Sequence, residues 1–234
     1  MTGLPLVQCQ NLARTYGTGR SAVVALHGIS CAVQPSMRVA ITGPSGSGKS
    51  TLLHLMAGLD VPTAGDVTWP AIGQRSDLRP GPVAVVFQGP SLVPSLNVIE
   101  NVALPLALEG RGDDRAAAAA HAALERLGLN ALAPKLPEEL SGGQAQRVAV
   151  ARALAGSPTV IFADEPTGQL DHTTAGKIID ALVGTAAHLQ AALVIATHDP
   201  AVSERMDSHW SMLDGRLLGT EPSTPATLDP AWSA

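Results

Sequence analysis

Eight consecutive residues near the start of the chain have the types and spacing needed to hold a phosphate group. They are Gly43, Pro44, Ser45, Gly46, Ser47, Gly48, Lys49 and Ser50. Glycines let backbone N–H groups turn inward around an anion, and the lysine adds a positive charge. Because a hydroxyl follows the lysine directly, the run also predicts a ligand for Mg²⁺.

The flanking sequence predicts the elements that must position this loop. An apolar run from Val39 to Ile41 precedes it, and residues 51–57 follow with the apolar spacing of a helix. The order strand, loop, helix would place bound phosphates beside Thr51, at the start of a helix. The N–H groups and the dipole favour an anion there.

A second run of small residues, far downstream, predicts another anion-receptive helix start. It consists of Leu140, Ser141, Gly142, Gly143 and Gln144, with a helix expected from Gln144 to about Ala155. A hydroxyl and two glycines before a helix leave its first N–H groups open to an anion, here without a lysine. Taken alone, such a run would be an ordinary turn.

Together and in this order, the two runs resemble the phosphate loop and the signature of the ATP-binding cassette (ABC) ATPases. The resemblance covers about residues 4–218. In that family, the signature of one subunit caps the γ-phosphate of the ATP held by another. The resemblance therefore implies that the chain binds ATP and Mg²⁺. It also implies a working unit that is a homodimer or pseudo-dimer of ATP-binding subunits.

Two acidic residues follow a predicted buried strand that begins at Val160. A carboxylate at the tip of a parallel strand, beside a phosphate loop, suits Mg²⁺ or its water shell, and this role is assigned to Asp164. Because side chains alternate along a strand, Glu165 is expected to face the γ-phosphate and to orient or deprotonate the attacking water. Without the other motifs, a solvated acidic turn would be the usual interpretation.

Three further residues are assigned because they match positions in the family. His198 follows a predicted strand, at the sheet edge where ligands collect, and matches the switch histidine that contacts the γ-phosphate. The other six histidines are interpreted as structural or surface residues. Gln88 matches the glutamine that reaches Mg²⁺ and the attacking water. Asp171 matches the loop that crosses the dimer interface.

Tyr16 is the candidate for holding the adenine base. The chain contains one tyrosine and two phenylalanines, so an aromatic residue in a glycine-flanked turn is unusual. It matches the aromatic residue on which the family stacks adenine, a contact that any π face can make. Packing within the turn is the alternative.

The segment pattern predicts an α/β fold. Residues 4–34 alternate like antiparallel strands, whereas later apolar runs are typical of buried parallel strands. The predicted buried strands are 38–42, 83–87, 160–163 and 192–197, interleaved with helices at 49–58, 144–155 and 173–189. In addition, a helix beginning within 97–102 and an alanine-rich helix capped by Asp113 and Asp114 and ending near Gly128 are expected.

These elements predict a P-loop NTPase of ABC type. It has a mainly parallel sheet core, an N-terminal antiparallel β subdomain and an inserted helical subdomain. A single ATP-binding domain is expected over residues 4–220. Its catalytic core comprises 4–88 and 156–220, and its helical part 89–155. Residues 221–234 are predicted to form a disordered tail.

Composition excludes several classes of function. The net charge of −5 is dispersed, which argues against nucleic-acid binding. Although 45% of the residues are hydrophobic, no apolar run approaches the roughly 18 residues that a membrane span requires. No secretory leader is recognised. Cys9 and Cys31 are interpreted as reduced structural thiols of a cytosolic protein, with a disulfide as the alternative.

The resemblance implies a peripheral ATPase subunit, on the cytoplasmic face of the cell membrane, that powers a separate transmembrane permease. The permease contact is expected near residues 89–102, with Leu92, Val93 and Leu96 exposed. The run from Glu165 to Gly168 is similar to that of the lipoprotein-release, macrolide-efflux and cell-division group. The alternatives are a soluble ABC ATPase acting in translation, repair or assembly, and a regulatory cassette that does not itself drive transport.

Overall fold

The computed structural model describes residues 3–168 and 170–222, which form two β-sheets and six α-helices. Gln169 and residues 223–234 lie outside the described residues, and so does most of the predicted tail. The last strand continues to Pro222, two residues past the predicted end of the domain at 220.

The smaller sheet is antiparallel and is built mainly from the first 33 residues. Its strands are β1 (Val7–Tyr16), β2 (Val23–Val33) and β4 (Ala64–Thr68), in the order β2-β1-β4. The antiparallel pair predicted in residues 4–34 is therefore present. Cys9 and Cys31 face each other across β1 and β2, and both are free thiols.

The larger sheet has six strands. They are β3 (Arg38–Thr42), β5 (Val83–Val86), β6 (Val160–Asp164), β7 (Ala192–Ala196), β8 (Ser208–Leu213) and β9 (Arg216–Pro222). Their order is β5-β6-β7-β3-β8-β9, and every neighbouring pair is parallel except β8 and β9. The predicted α/β class with a mainly parallel core is confirmed.

The β8–β9 hairpin and strand β4 were not predicted. The two-residue turn of the hairpin is Asp214-Gly215, with φ of 45° and 69°. Positive φ at both turn residues matches the twist of the flanking strands, and Asp-Gly is a preferred pair for it. Trp210 and Met212 alternate with exposed residues in β8, so the sequence does carry the signal for this hairpin.

Six α-helices cover the larger sheet or extend beyond it. They are α1 (Lys49–Met56), α2 (Val98–Leu108), α3 (Asp113–Arg126), α4 (Gly142–Ala155), α5 (His172–Leu189) and α6 (Pro200–Ser203). Two predicted helix starts need correction. Helix α4 begins two residues before the predicted Gln144. Asp113 and Asp114 lie in the first turn of α3, and Gly112, with φ of 76°, occupies the cap position.

Alternate residues of the parallel strands pack into two hydrophobic cores. Val39 and Ile41 pack with α1 and the smaller sheet, whereas Ala40 packs with α5 and one side of α4. The larger sheet is therefore buried on both faces, which accounts for its continuous apolar strands. Helix α1, which follows the phosphate loop, lies between the two sheets.

A third core joins α2, α3 and α4. Val148 and Ala151 of α4 contribute to it, while Val150 and Leu154 of the same helix belong to the core on the larger sheet. Helix α4 thus contributes side chains to both the core on the larger sheet and the core of the helical layer. No helix among residues 3–168 and 170–222 combines the length and the apolar character needed to cross a membrane.

Candidate nucleotide-binding site

In the loop between β3 and α1, two positions have room only for glycine. Gly48 has φ of 96°, and a Cβ atom there would lie 2.6 Å from the carbonyl oxygen of Ala25. A Cβ at Gly43 would lie 2.1 Å from the carbonyl oxygen of Met212. The loop is therefore packed closely against β2 and the β8–β9 hairpin, and both glycines are sterically required.

Lys49 is 7% exposed and points back into the loop. Its Nζ donates hydrogen bonds to the carbonyl oxygens of Gly43 and Pro44, at 2.9 and 3.0 Å. Ser47 Oγ is buried there and has no hydrogen-bond partner in the part of the chain that the structure describes. A buried cation, an unpaired hydroxyl and the start of α1 together fit a phosphate group.

The loop borders a cavity of about 520 Å³. Its lining comprises Ser45, Gly46, Gly48, Lys49, Ser50 and Thr51 from the loop and α1, Gln88, Glu165 and His198 from the ends of the strands, and Val23, Val24 and Ala25 from β2. Gly43 and Pro44 border a neighbouring cavity, and Ser47 is buried inside the loop. The predicted phosphate and water-activating residues therefore meet at one site.

Ser50 and Asp164 form the predicted metal pair. Ser50 Oγ donates a hydrogen bond of 2.8 Å to Asp164 Oδ1, and Asp164 is 6% exposed. Among the residues described, no group of three or more His, Cys, Asp or Glu side chains could hold a metal ion alone. One hydroxyl and one carboxylate fit Mg²⁺, which completes its shell with phosphate oxygens and water.

His54 lies beside this pair, although it was interpreted from the sequence as a structural or surface histidine. Its Nε2 atom is 3.5 Å from Asp164 Oδ2, is buried, and has no hydrogen-bond partner within the described ranges. His54 follows Ser50 by four residues on α1, so the two share one helix face. That spacing was the available signal.

Glu165 and His198 form a second pair on the cavity wall. Nδ1 of His198 lies 2.9 Å from the Glu165 carboxylate. The expected alternation along a strand is not what orients Glu165, because β6 ends at Asp164. Glu165 instead has φ of 43°, and its N–H donates to the carbonyl oxygen of Ala196 at 2.9 Å. Such a backbone is uncommon for a residue other than glycine, and it clusters at functional sites.

Gln146 connects α4 to the two loops that carry Gln88 and Glu165, and the sequence reasoning missed it. Its side chain is buried, and Nε2 donates to the carbonyl oxygens of Phe87 at 3.0 Å and Pro166 at 3.3 Å. Gln88 itself is exposed on the cavity wall, two residues past β5. The only sequence signal for Gln146 is a polar residue at a core position of a helix.

Tyr16, the predicted adenine contact, does not border the cavity. It ends β1 opposite Val23, and Val23 and Val24 line the cavity while being 62% and 47% exposed. Tyr16 is 40% exposed, and its hydroxyl donates to Asp60 Oδ2 at 2.9 Å. The two valines were not predicted as site residues. Their exposure on a strand is the structural sign that they form an apolar wall.

The predicted signature lies away from this cavity. Ser141 caps α4 by accepting from the N–H of Gln144 at 3.3 Å, and Gln144 Oε1 accepts from the N–H of Ser141 at 2.9 Å. Gly142 and Gly143 form the first turn of the helix. None of these four residues lines the cavity of its own chain.

Asp171 also lies outside the cavity. It caps α5, and its Oδ1 accepts from the N–H of Thr174 at 3.0 Å. The hydrogen bonds from Thr174 lower the pKa of Asp171, so its carboxylate stays charged at the start of the helix. The structure therefore brings together one group of predicted site residues and leaves the signature and Asp171 on a separate surface.

A parallel sheet with a glycine loop, a buried lysine at a helix start and a hydroxyl–carboxylate pair at adjacent strand ends defines a P-loop nucleotide-binding protein. Residues 26–168 match the family model described as ABC transporter. The chain therefore belongs to the ABC transporter family, as an ATP-binding subunit.

Proteins with similar sequences bear this out. The chain is 43% identical to the lipoprotein-releasing system ATP-binding protein LolD of Legionella pneumophila (strain Paris), over 92% of this chain and 98% of that protein. It is 40% identical to an uncharacterized ABC transporter ATP-binding protein of Mycobacterium tuberculosis, over 93% of this chain and 91% of that protein.

Solved structures agree. The ATP-binding cassette MJ0796, in a dimeric post-hydrolysis state with ADP and Pi, superposes with a TM-score of 0.86 at 36% identity. That match covers 92% of this chain and 98% of the other. CbiO1 of Clostridium perfringens, part of an ABC transporter complex, superposes with a TM-score of 0.80 at 29% identity, over 93% of this chain and 88% of the other.

Proposed function

We propose that this subunit binds ATP in the cavity beside Lys49 and hydrolyses it to ADP and phosphate. The observation that carries the proposal is that three groups open onto one site. They are the buried lysine of the phosphate loop, the Ser50–Asp164 pair and the Glu165–His198 pair. Phosphoryl transfer needs positioning and charge stabilisation at one place, and these groups supply both.

In this mechanism, Glu165 takes the proton of the attacking water. The water oxygen bonds to the γ-phosphorus as the bond between that phosphorus and the β–γ bridging oxygen breaks, and ADP leaves. His198, 2.9 Å from the Glu165 carboxylate, orients it. Ser50 and Asp164, with Gln88 nearby, would hold Mg²⁺, which offsets the negative charge of the phosphate oxygens. Lys49 neutralises further phosphate charge.

We propose that the complete site forms between two copies of the chain. The signature residues start α4 at an exposed position, and no residue of that run borders the cavity of its own chain. At this exposed helix start, the N–H groups of Gly142 and Gly143, which lie between the two capped residues, can complete the phosphate shell of a second copy. The dimeric post-hydrolysis state of MJ0796 supports this arrangement.

A groove of about 470 Å³ fits the contact with a separate permease. Its apolar lining includes Leu59, Val85, Phe87, Leu104 and Leu108, and its charged lining is Arg79, Glu109 and Arg152. Leu108 is 67% exposed at the end of α2. The groove combines apolar side chains with two basic residues and one acidic residue. Such a surface suits a short amphipathic segment that carries an acidic group.

We propose this groove in place of the predicted contact through Leu92, Val93 and Leu96. Those three side chains are half-buried, and Leu92 packs against the core of the helical layer. We propose that the groove docks the chain on a permease at the cytoplasmic face of the membrane. The function is then that of the ATPase subunit of a transporter.

Leu108→Asp tests docking, with Leu218→Asp as its matched control, because Leu218 is 63% exposed on β9. Each variant is purified in mild detergent from its native membranes. We expect wild type and Leu218→Asp to retain a multi-spanning membrane protein, identified by mass spectrometry, and Leu108→Asp to lose it while still hydrolysing ATP alone. Wild-type protein that never retains a multi-spanning partner would favour the soluble or regulatory alternative.

A further inference from the structure

We propose that Arg14 and Asp60 are positioning residues that hold Tyr16 as a platform for the adenine base. The inference rests on the proposed binding of ATP. It goes further by assigning base recognition to a cluster of three side chains, none of which borders the phosphate cavity.

The Asp60 carboxylate is held from several directions. Arg14 Nε donates to Oδ2 and Nη2 contacts Oδ1, both at 2.9 Å, which is a bidentate ion pair. The Tyr16 hydroxyl donates to Oδ2 at 2.9 Å, and the N–H of Val61 donates to Oδ1 at 2.7 Å. Two side chains of β1 are thus fixed to one carboxylate that lies 46 positions from Arg14 and 44 from Tyr16.

These contacts keep Asp60 ionised. Burial acts to raise its pKa, but the hydrogen bonds from Val61 and Tyr16 and the Arg14 guanidinium together lower the pKa of the carboxyl. The ionised carboxylate accepts from all three donors at neutral pH, so the hydroxyl end of Tyr16 has one preferred position.

Arg14 also covers one face of the Tyr16 ring. Its Cζ atom lies 4.5 Å from the ring centroid, which is a cation–π contact. Tyr16 remains 40% exposed, so we assign the stacking of the base to the ring face opposite Arg14. A cation behind a ring draws electron density toward itself, which favours an electron-rich purine on the other face.

The cluster adjoins the apolar wall of the phosphate cavity, and there we place the base. Tyr16 is paired with Val23, and Val23 and Val24 form the apolar wall of the cavity. Asp60 follows the end of α1 by four residues, and α1 is about 12 Å long. In the proposed complex, the start of α1 therefore positions the phosphates. The segment after its end carries Asp60, which positions Tyr16 for the base.

The end of α1 is firmly held. The indole N–H of Trp69 donates to the carbonyl oxygen of Met56 at 2.8 Å, and Arg75 Nε donates to that of Gly58 at 3.0 Å. Arg79 donates to the carbonyl of Ala57. These donors satisfy the carbonyl groups that a helix end leaves without partners. The short segment that leads from α1 to Asp60 therefore begins at an anchored helix end.

The test separates binding of the base from binding of the phosphates. We measure kcat and KM for ATP, and the inhibition constant of inorganic tripolyphosphate, which has no base. The variants are Arg14→Gln, Asp60→Asn and Tyr16→Ala. The control is Arg38→Gln, which removes a bidentate pair with Asp207 at the other end of β3 from the phosphate loop. Thermal unfolding checks that each variant is folded.

Tyr16→Ala is expected to raise the KM for ATP roughly five- to a hundredfold, because base–aromatic stacking is lost. Arg14→Gln and Asp60→Asn are expected to raise it by about two- to tenfold, in keeping with the loss of a cation–π contact and of ring orientation. For all three, kcat and tripolyphosphate inhibition should stay unchanged. Arg38→Gln should change none of these constants.

Three outcomes would overturn the proposal, and they are distinguishable. If Tyr16→Ala raises the KM but Arg14→Gln and Asp60→Asn do not, Tyr16 is the platform without needing its two neighbours. If Tyr16→Ala leaves the KM unchanged, the proposed adenine contact fails as well. If tripolyphosphate inhibition weakens together with ATP binding, the cluster supports α1 in general and has no specific role toward the base.

Discussion

Glu165 combines an uncommon backbone with a defined partner. Its left-handed φ and the hydrogen bond from its N–H to the carbonyl oxygen of Ala196 direct the carboxylate toward the cavity wall. There it contacts Nδ1 of His198. The identity of this acid was predictable, because an acidic pair after a buried strand is visible in the sequence. Its direction was not, because the residue lies past the end of the strand, where alternation no longer applies.

At the residue scale, Glu165→Gln should lower the rate of ATP hydrolysis by about 10²- to 10⁴-fold, the usual contribution of a general base. The amide keeps the shape but does not accept the proton. Phosphate release measures the rate, and gel filtration with ATP should show a stable dimer. Glu125→Gln, an exposed acid of α3, is the matched control. A Glu165→Gln chain that stays monomeric with full turnover would show that another group activates water.

The long-range contacts of His54, Asp60 and Gln146 were not predictable, although the positions of His54 and Gln146 in their helices carried a weak signal. Each joins positions far apart in the chain, such as Gln146 with Phe87 or Arg14 with Asp60. Motif spacing reports on local geometry, whereas these pairs depend on how the strands and helices are stacked.

At the scale of elements, α4 is where the helical layer and the sheet are joined, because its side chains enter both cores. Gln146 adds polar bonds from this helix to the backbone on either side of the cavity. Helix α4 is therefore tied by hydrogen bonds to the loops that carry Gln88 and Glu165. These bonds join the signature helix to the two loops whose acid and amide are predicted to contact the attacking water.

Gln146→Met keeps the length of the side chain and removes its donor. Two buried carbonyl groups then lose a partner, so the free energy of unfolding should fall by about 1–3 kcal/mol. ATP hydrolysis should fall as well, because the two loops lose their common anchor. Urea unfolding and phosphate release measure these effects. Gln10→Met, at an exposed position of β1, should change stability by less than about 0.5 kcal/mol. Equal effects of the two variants would contradict the anchoring role.

The elements themselves were largely predictable. The four buried parallel strands lie where their apolar runs indicated, since strands covered on both faces are apolar throughout. The β8–β9 hairpin was missed despite its Asp214-Gly215 turn, because β8 alternates and carries polar residues. Half-buried strands give a weaker signal than fully buried ones.

At the scale of the whole molecule, the proposed two-copy site joins the signature of one copy to the cavity of the other. Lys49→Ala disables the phosphate loop. Gly142→Arg blocks the signature, and the chain itself has room for that side chain, because no atom lies within 4 Å of a Cβ built at Gly142. Each variant alone should be inactive. An equal mixture should regain about a quarter of the complete sites, because half of its dimers carry one intact site.

ATP hydrolysis by the single variants and by the mixture measures this complementation. Full activity of Gly142→Arg alone would contradict the two-copy site, because the added side chain should block the contact between this signature and the nucleotide bound by a second copy. The sequence suggested such a site only through resemblance. Ser141, Gly142, Gly143 and Gln144 do not line the cavity of their own chain, so spacing and periodicity could not reveal that the two belong together.

The indole N–H of Trp69 donates to the last turn of α1, the helix whose first turn follows the phosphate loop. This ring is 7% exposed. The protein thus contains a natural fluorophore at the far end of that helix. We expect its emission to change when nucleotide binds, and a Trp69→Phe variant, which keeps the other two tryptophans, should lose that change.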